Sequence, residues 1–182
     1  MTIPLDQLIS AGNIHRDVYA DQDVFEKEKE LLFRRTWLYA GHESQLKNTG
    51  DFISTVIADE PVLLIRGDDG QVRAFFNRCP HRGAVISRKP CGHTERLQCA
   101  YHGWSFNFDG SLDAIPLMKG YEGSEVLSNR DKFGLTPVPR FGSYKGFLFI
   151  SLAADGPELE TFLGPVALNL TNMIERSPLG EI

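Results

Sequence analysis

Three cysteines in 182 residues are too few, and odd in number, for a disulfide framework, which leaves a reducing cytoplasm as the expected location. No stretch approaches the roughly 18 to 20 apolar residues of a membrane span, so no membrane is expected. Met1 to Ser10 lacks the basic start and apolar core of a secretory signal. Basic excess is missing as well. The 19 Lys and Arg face 24 Asp and Glu, a net charge of -5, with little to neutralise phosphates, so no nucleic-acid partner is expected. Repeats and low-complexity tracts are absent. What is present, 42% apolar and 24% charged residues, is the composition of a folded domain able to bury roughly 70% of its unfolded surface.

The pattern along the chain is mostly β, with helices at both ends. Residues 1–20 read as an extended arm. Asp23 with Glu26 three places on resembles a capping box, and the apolar period behind it predicts a helix over 23–35. Strands are predicted at 37–41, 51–58, 62–66 and 72–77, where aromatic and β-branched residues concentrate, with a turn at Asp68-Asp69-Gly70. Residues 78–104 carry few strand signals and read as two loops. Asp109-Gly110 marks another turn, and 135–141 and 146–152 read as further strands. Pro157 opens a short helix ending near Gly164, and Pro165 another reaching Arg176. The resulting organisation is an arm and helix (1–36), a β domain (37–155) and a helical segment (156–182).

The chemistry sits in the two loops. Cys79-Pro80-His81 and Cys99-Ala100-Tyr101-His102 form C-x-H, then seventeen residues, then C-x-x-H. A Rieske [2Fe–2S] centre takes two thiolates on one iron and two imidazoles on the other. Two facing loops, each giving one Cys and one His, meet that demand, so Cys79, His81, Cys99 and His102 are the candidate cluster ligands. A zinc site uses the same ligand types but favours C-x₂₋₄-C and H-x₃₋₅-H, and neither spacing occurs. Cys91 has no His at matching distance and reads as a loop thiol. Trp104 reads as core packing rather than an electron conduit.

Cys-Pro-His-Arg-Gly-Ala at 79–84 and Cys-Ala-Tyr-His-Gly-Trp at 99–104 resemble the signature of aromatic-ring-hydroxylating oxygenases, in the large (alpha) subunit. The likeness extends through residues 33–37, 41–44, 50–52, 75–78, 109–112 and 131–135, so that it covers about residue 18 to near the C-terminus. His93 departs from it, since the family more often has a small polar or amide residue after Gly92. The resemblance implies a Rieske domain of small antiparallel sheets with the cluster at two loop tips. It implies electrons from a reductase or ferredoxin, and their passage to a mononuclear non-haem Fe(II) that activates O₂ to hydroxylate an aromatic ring. It also implies an alpha-subunit trimer, in some members with a small beta subunit.

The second iron would need two histidines and a carboxylate. The family supplies them from a separate C-terminal domain, with the two histidines close in sequence. Beyond the candidate ligands only His15, His42 and His93 remain, and no two are close together. His42 reads as structural or surface, and His93 as a solvated loop residue. The expectation is therefore an electron-transfer domain of an oxygenase whose catalytic domain lies outside this sequence. The alternative is a free-standing Rieske-type ferredoxin; the helix at 23–35 and the stretch after Leu152 favour the oxygenase.

Two further expectations concern tuning. Related respiratory centres carry a loop disulfide, where this sequence has Ala84 and Tyr101, and Trp104 stands where a hydroxyl donor would raise the potential. The low end of the Rieske range, roughly -150 mV, is expected. Residues 78–102 hold Arg78, Arg82, Arg88, Lys89 and Arg96 against one acid, Glu95, so net acidity hides a basic loop region. Such surroundings favour the reduced cluster and attract an acidic ferredoxin; scattered solvated arginines are the plainer reading.

Overall fold

Val62, Leu63, Leu64 and Ile65 are all completely buried, although successive side chains of a strand point to opposite faces. That strand is covered on both sides and is the middle of the molecule. The computed structural model describes residues 4–177. In chain order the strands are β1 (Ile9–Ser10), β2 (Asn13–Ile14), β3 (Trp37–His42), β4 (Asp51–Ile57), β5 (Glu60–Arg66) and β6 (Val72–Phe76). They continue with β7 (Cys91–His93), β8 (Leu97–Gln98), β9 (Ser105–Phe106), β10 (Leu112–Ala114), β11 (Arg140–Tyr144) and β12 (Phe147–Ser151). All pairings are antiparallel. They make a β1–β2 hairpin, a four-stranded sheet β6-β5-β4-β7 and two three-stranded sheets, β11-β12-β3 and β10-β9-β8.

The alternation of β5 separates two cores. Leu63 and Ile65 join Phe52, Phe75, Trp104 and Phe106 on the side that carries the ligand loops. Val62 and Leu64 join Ile53, Ala74, Leu148 and Ile150 against the β11-β12-β3 sheet. The outer face of that sheet places Trp37 and Phe149 against Leu159 and Leu163 of a helix. Burial of each such side chain contributes about 1.5–3 kcal/mol. The layers are thus ligand loops, central sheet, second sheet and helices.

The helices are α1 (Asp17–Ala20), α2 (Gln22–Glu28), α3 (Glu125–Ser128), α4 (Leu159–Leu163) and α5 (Val166–Glu175). No helix among the described residues is long and apolar enough to cross a membrane.

Several expectations shift. The N-terminal helix is capped by Asp21, whose carboxylate accepts from the N–H groups of Asp23 and Val24, and it loosens into a π-helical turn at Lys29–Phe33. The arm holds the small hairpin and α1. The loop region 78–104 contains β7 and β8. The strand expected at 135–141 begins only at Arg140, because Pro137 and Pro139 lack the N–H that a ladder needs. The two helices expected near the C-terminus are present as α4 and α5. The ends of the arm and of the C-terminal segment, residues 1–3 and 178–182, lie outside the described residues.

Candidate metal centre

The two ligand loops share one backbone frame. The N–H of Cys79 donates to the carbonyl of Ala84 at 2.8 Å, and the N–H of Gly83 to the carbonyl of Cys79 at 2.8 Å. In the second loop the N–H of Cys99 donates to Trp104 at 2.8 Å, and that of Gly103 to Cys99 at 2.9 Å. Gly83 and Gly103 close the two turns at φ of 70° and 71°, a region that side chains disfavour. The unequal spacings of the motif therefore sit in equal turns, with the histidine third in one and fourth in the other.

This frame sorts the side chains. Cys79 and Cys99 are buried in the core, with Cys99 near enough to Cys79 to disfavour ionisation of its thiol. His81 and His102 stand at the half-buried outer end, ring centroids 4.6 Å apart. The structure thus brings all four sequence-predicted residues together, sulfur inside and imidazole outside. No disulfide joins the cysteines.

Their chemistry fits a cationic occupant. The Nδ1 of His81 is buried and has no hydrogen-bond partner. Burial, the nearby His102 and Arg82 lower the His81 pKa and favour the neutral ring that ligates metals. Burial pushes the Cys79 thiol up to about 11, and the neighbouring Cys99 acts the same way, against the backbone N–H groups of His81 and Arg82. Holding thiolate there calls for positive charge close by. Among the described residues no three His, Cys, Asp or Glu converge on a single ion. A two-iron cluster asks for only two protein ligands per iron, one pair of sulfurs and one of nitrogens.

A second set of residues, silent in the sequence, holds the loops. Asn77 is 1% exposed and uses both ends of its amide. Its Oδ1 accepts from the N–H of Ile86 (3.1 Å) and Ser87 (3.0 Å), and its Nδ2 donates to Ser54 Oγ and to the Ser87 carbonyl, both at 2.7 Å. The first loop is thereby tied to β4. Tyr121 accepts from the Trp104 indole N–H at 3.4 Å and lies edge-on to His81. Only the general preference of buried polar groups for partners hinted at either residue.

The other sequence candidates stand apart. Cys91 is exposed on β7, paired across from Ile53. His93 Nδ1 lies 3.0 Å from Asp51 Oδ1. His42 caps the turn at Glu43–Gln45, with its ring against Phe147. His15 accepts the Asp17 N–H at 3.2 Å.

Residues 36–137, more than half of the chain, match the model of the Rieske [2Fe-2S] domain. The chain belongs to the Rieske family. Rieske domains bind a [2Fe–2S] cluster, so the donor set described above has its counterpart in the family's cofactor. This Rieske chain is 36% identical over 174 residues to the biphenyl dioxygenase alpha subunit of Metapseudomonas furukawaii, which covers 94% of it and 38% of that subunit. Over 171 residues it is 36% identical to the anthranilate 1,2-dioxygenase large subunit of Acinetobacter baylyi, covering 93% of it and 35% of the relative. Among solved structures, naphthalene 1,2-dioxygenase from Rhodococcus sp. superposes with a TM-score of 0.86 at 30% identity, over 93% of this chain and 38% of that one. The chain thus spans well under half the length of these relatives.

Proposed function

We propose that this chain is the electron-transfer domain of an aromatic-ring-hydroxylating oxygenase alpha subunit. In this reading Cys79 and Cys99 hold one iron of a [2Fe–2S] cluster, and His81 and His102 hold the other. When bound, the cluster supplies a one-electron couple. The chain's own part is to bury the sulfur side, to keep the His81 imidazole neutral, and to leave the histidine end near solvent. With the cluster held by Cys79, His81, Cys99 and His102, an electron from a ferredoxin or reductase would pass on toward a mononuclear non-haem iron that another domain would supply. The region 37–155 acts as the redox domain, and α5 leads from it, with Val166, Leu168 and Met173 exposed. An alpha-subunit trimer and a small beta subunit are the partners the family resemblance implies, with the cytoplasm as the expected location.

The observation that carries the reading is the shared hydrogen-bond frame, which turns unequal spacings into matched cysteine and histidine pairs. Its test is the purified chain itself. Iron and acid-labile sulfide in equal amounts, two of each per chain, and the electron-spin-resonance spectrum of a mixed nitrogen and sulfur cluster are expected. Serine at Cys79 or Cys99 abolishes both. A colourless protein holding one zinc would overturn the proposal.

A further inference from the structure

A groove of about 520 Å³ opens beside the two ligand loops, with none of Cys79, His81, Cys99 and His102 in its lining. Its floor is Phe52, Ile86 and Leu97, and its rim carries Arg88, Lys89 and Arg96. No acidic side chain lines it. Both ligand loops contribute to its wall, through Ser87 after the first and through Gln98 and Ala100 around Cys99.

The charges on this rim are unspent. Arg78, counted among the bases of this region, is bound elsewhere, to Glu60 at 2.9 Å beside Arg34. Arg96 reaches Asp113 only at 3.9 Å. The side chains of Arg88 and Lys89 are exposed and make no hydrogen bond or ion pair among the described residues. Positive charge with at most one long internal ion pair, over an apolar floor and beside the ligand loops, suits an acidic protein surface.

We infer that this groove is where an acidic electron-donor protein docks, seated against both ligand loops and leaving His81 and His102 outside the contact. The inference rests on the proposed function and adds the place of entry. One electron crosses the contact, the donor being oxidised and this chain reduced by that one electron. Loop closure by β7, which among the described residues pairs with β4 alone, holds Arg88 and Lys89 at the rim without committing them to the core.

The test follows bleaching of the purified, cluster-loaded chain in rapid mixing with a reduced acidic plant-type [2Fe–2S] ferredoxin as the probe. The methyl viologen radical cation serves as a small reductant that needs no docking surface. Arg88→Glu with Lys89→Glu is expected to slow the ferredoxin reaction at least about tenfold at low ionic strength and to flatten its salt dependence. Arg96→Gln acts in the same direction. The viologen rate and the spin-resonance spectrum stay at parent values. Lys145→Glu with Arg176→Glu, an equal charge change on the far layers, slows the ferredoxin less than twofold. Parent ferredoxin rates in the Arg88/Lys89 variant would overturn the inference, as would equal slowing by the distant pair. So would protection of the rim by self-association or by inorganic phosphate alone, with no effect of ferredoxin. Failure of the underlying reading looks different, because a chain without the cluster bleaches with neither reductant.

Discussion

The indole of Trp104 lies parallel to the imidazole of His81, with ring centroids 4.7 Å apart and planes 1° apart. Trp104 is 1% exposed, so the stack is part of the core. His81 therefore has an aromatic face on one side, the edge of Tyr121 on another and His102 on a third. A ring held this way keeps Nδ1 aimed in one direction before any metal arrives, which is the form that pre-organisation takes at a ligand.

Trp104→Ala is expected to lower stability by about 3–5 kcal/mol, as large-to-small changes in a core do. Trp104→Phe keeps a ring against His81 but loses the N–H to Tyr121. It should retain the cluster with altered anisotropy in the spin-resonance spectrum. An alanine variant with the parent spectrum and melting temperature would refute the positioning role.

Asn77 supports the first loop from beneath. Asn77→Ala leaves the N–H groups of Ile86 and Ser87 without their partner, at about 1–3 kcal/mol for each group that stays buried, and leaves the Ser87 carbonyl only the longer bond from Ser54 Oγ at 3.4 Å. Asn77→Asp preserves the shape but replaces two donors with a charge, so it should not rescue. Denaturant titration and the rate of iron release to a chelator read the effect, which is expected to appear as faster iron loss even where the fold survives.

The two turn glycines differ in their surroundings. A methyl at Gly83 meets nothing within 4 Å, whereas at Gly103 it meets Pro116 Cγ at 3.0 Å. Gly83→Ala should cost only the left-handed backbone term, about 1–2 kcal/mol. Gly103→Ala should cost more, since Pro116 must shift too. Equal melting temperatures for the two variants would show that the loops relax freely.

The legible parts of this chain were those with local signals. The ligand motifs, the four apolar residues of β5 and the two C-terminal helices each carry their pattern within a few positions. The hidden parts depend on distant partners. Cys91, Gly92 and His93 are all exposed and show no alternation, and they form a strand only because β4 offers them its edge. Asn77 and Tyr121 are common residue types in sequence and become specific only when folding brings Ile86, Ser87 and Trp104 to them. Leu135 and Val138 read as strand because they are apolar, and they are buried, but with prolines at 137 and 139 the segment meets β6 in an isolated bridge, Phe75 to Pro137, rather than a ladder.

Acid sensitivity of the β4–β7 edge follows from Asp51. The Asn48 backbone N–H, donating at 2.7 Å, chiefly holds its carboxyl below the usual range, helped by His93. A depressed carboxylate stabilises the fold above its unfolded pKa of about 3.9, and the contribution disappears as pH falls through the lower folded value. Asp51→Asn is therefore expected to be less stable than the parent at pH 7 and to close that gap below about pH 4. A gap that is constant with pH, measured by denaturant titration, would contradict the assignment.

The reduction potential depends on which donors face the sulfurs. The backbone N–H groups of His81 and Arg82 favour the Cys79 thiolate. Among the described residues no side-chain hydroxyl donates to either cysteine, and the nearby hydroxyl of Tyr121 takes the Trp104 N–H instead. Hydrogen bonds to sulfur raise the potential of such centres, so few of them leave it near the low end, about -150 mV. Tyr121→Phe removes no sulfur donor and should move the midpoint by less than about 30 mV, half of the 59 mV that a tenfold change represents for one electron. A parent midpoint above about +100 mV, or a fall of more than 59 mV in that variant, would mean that a hydroxyl does reach the sulfur.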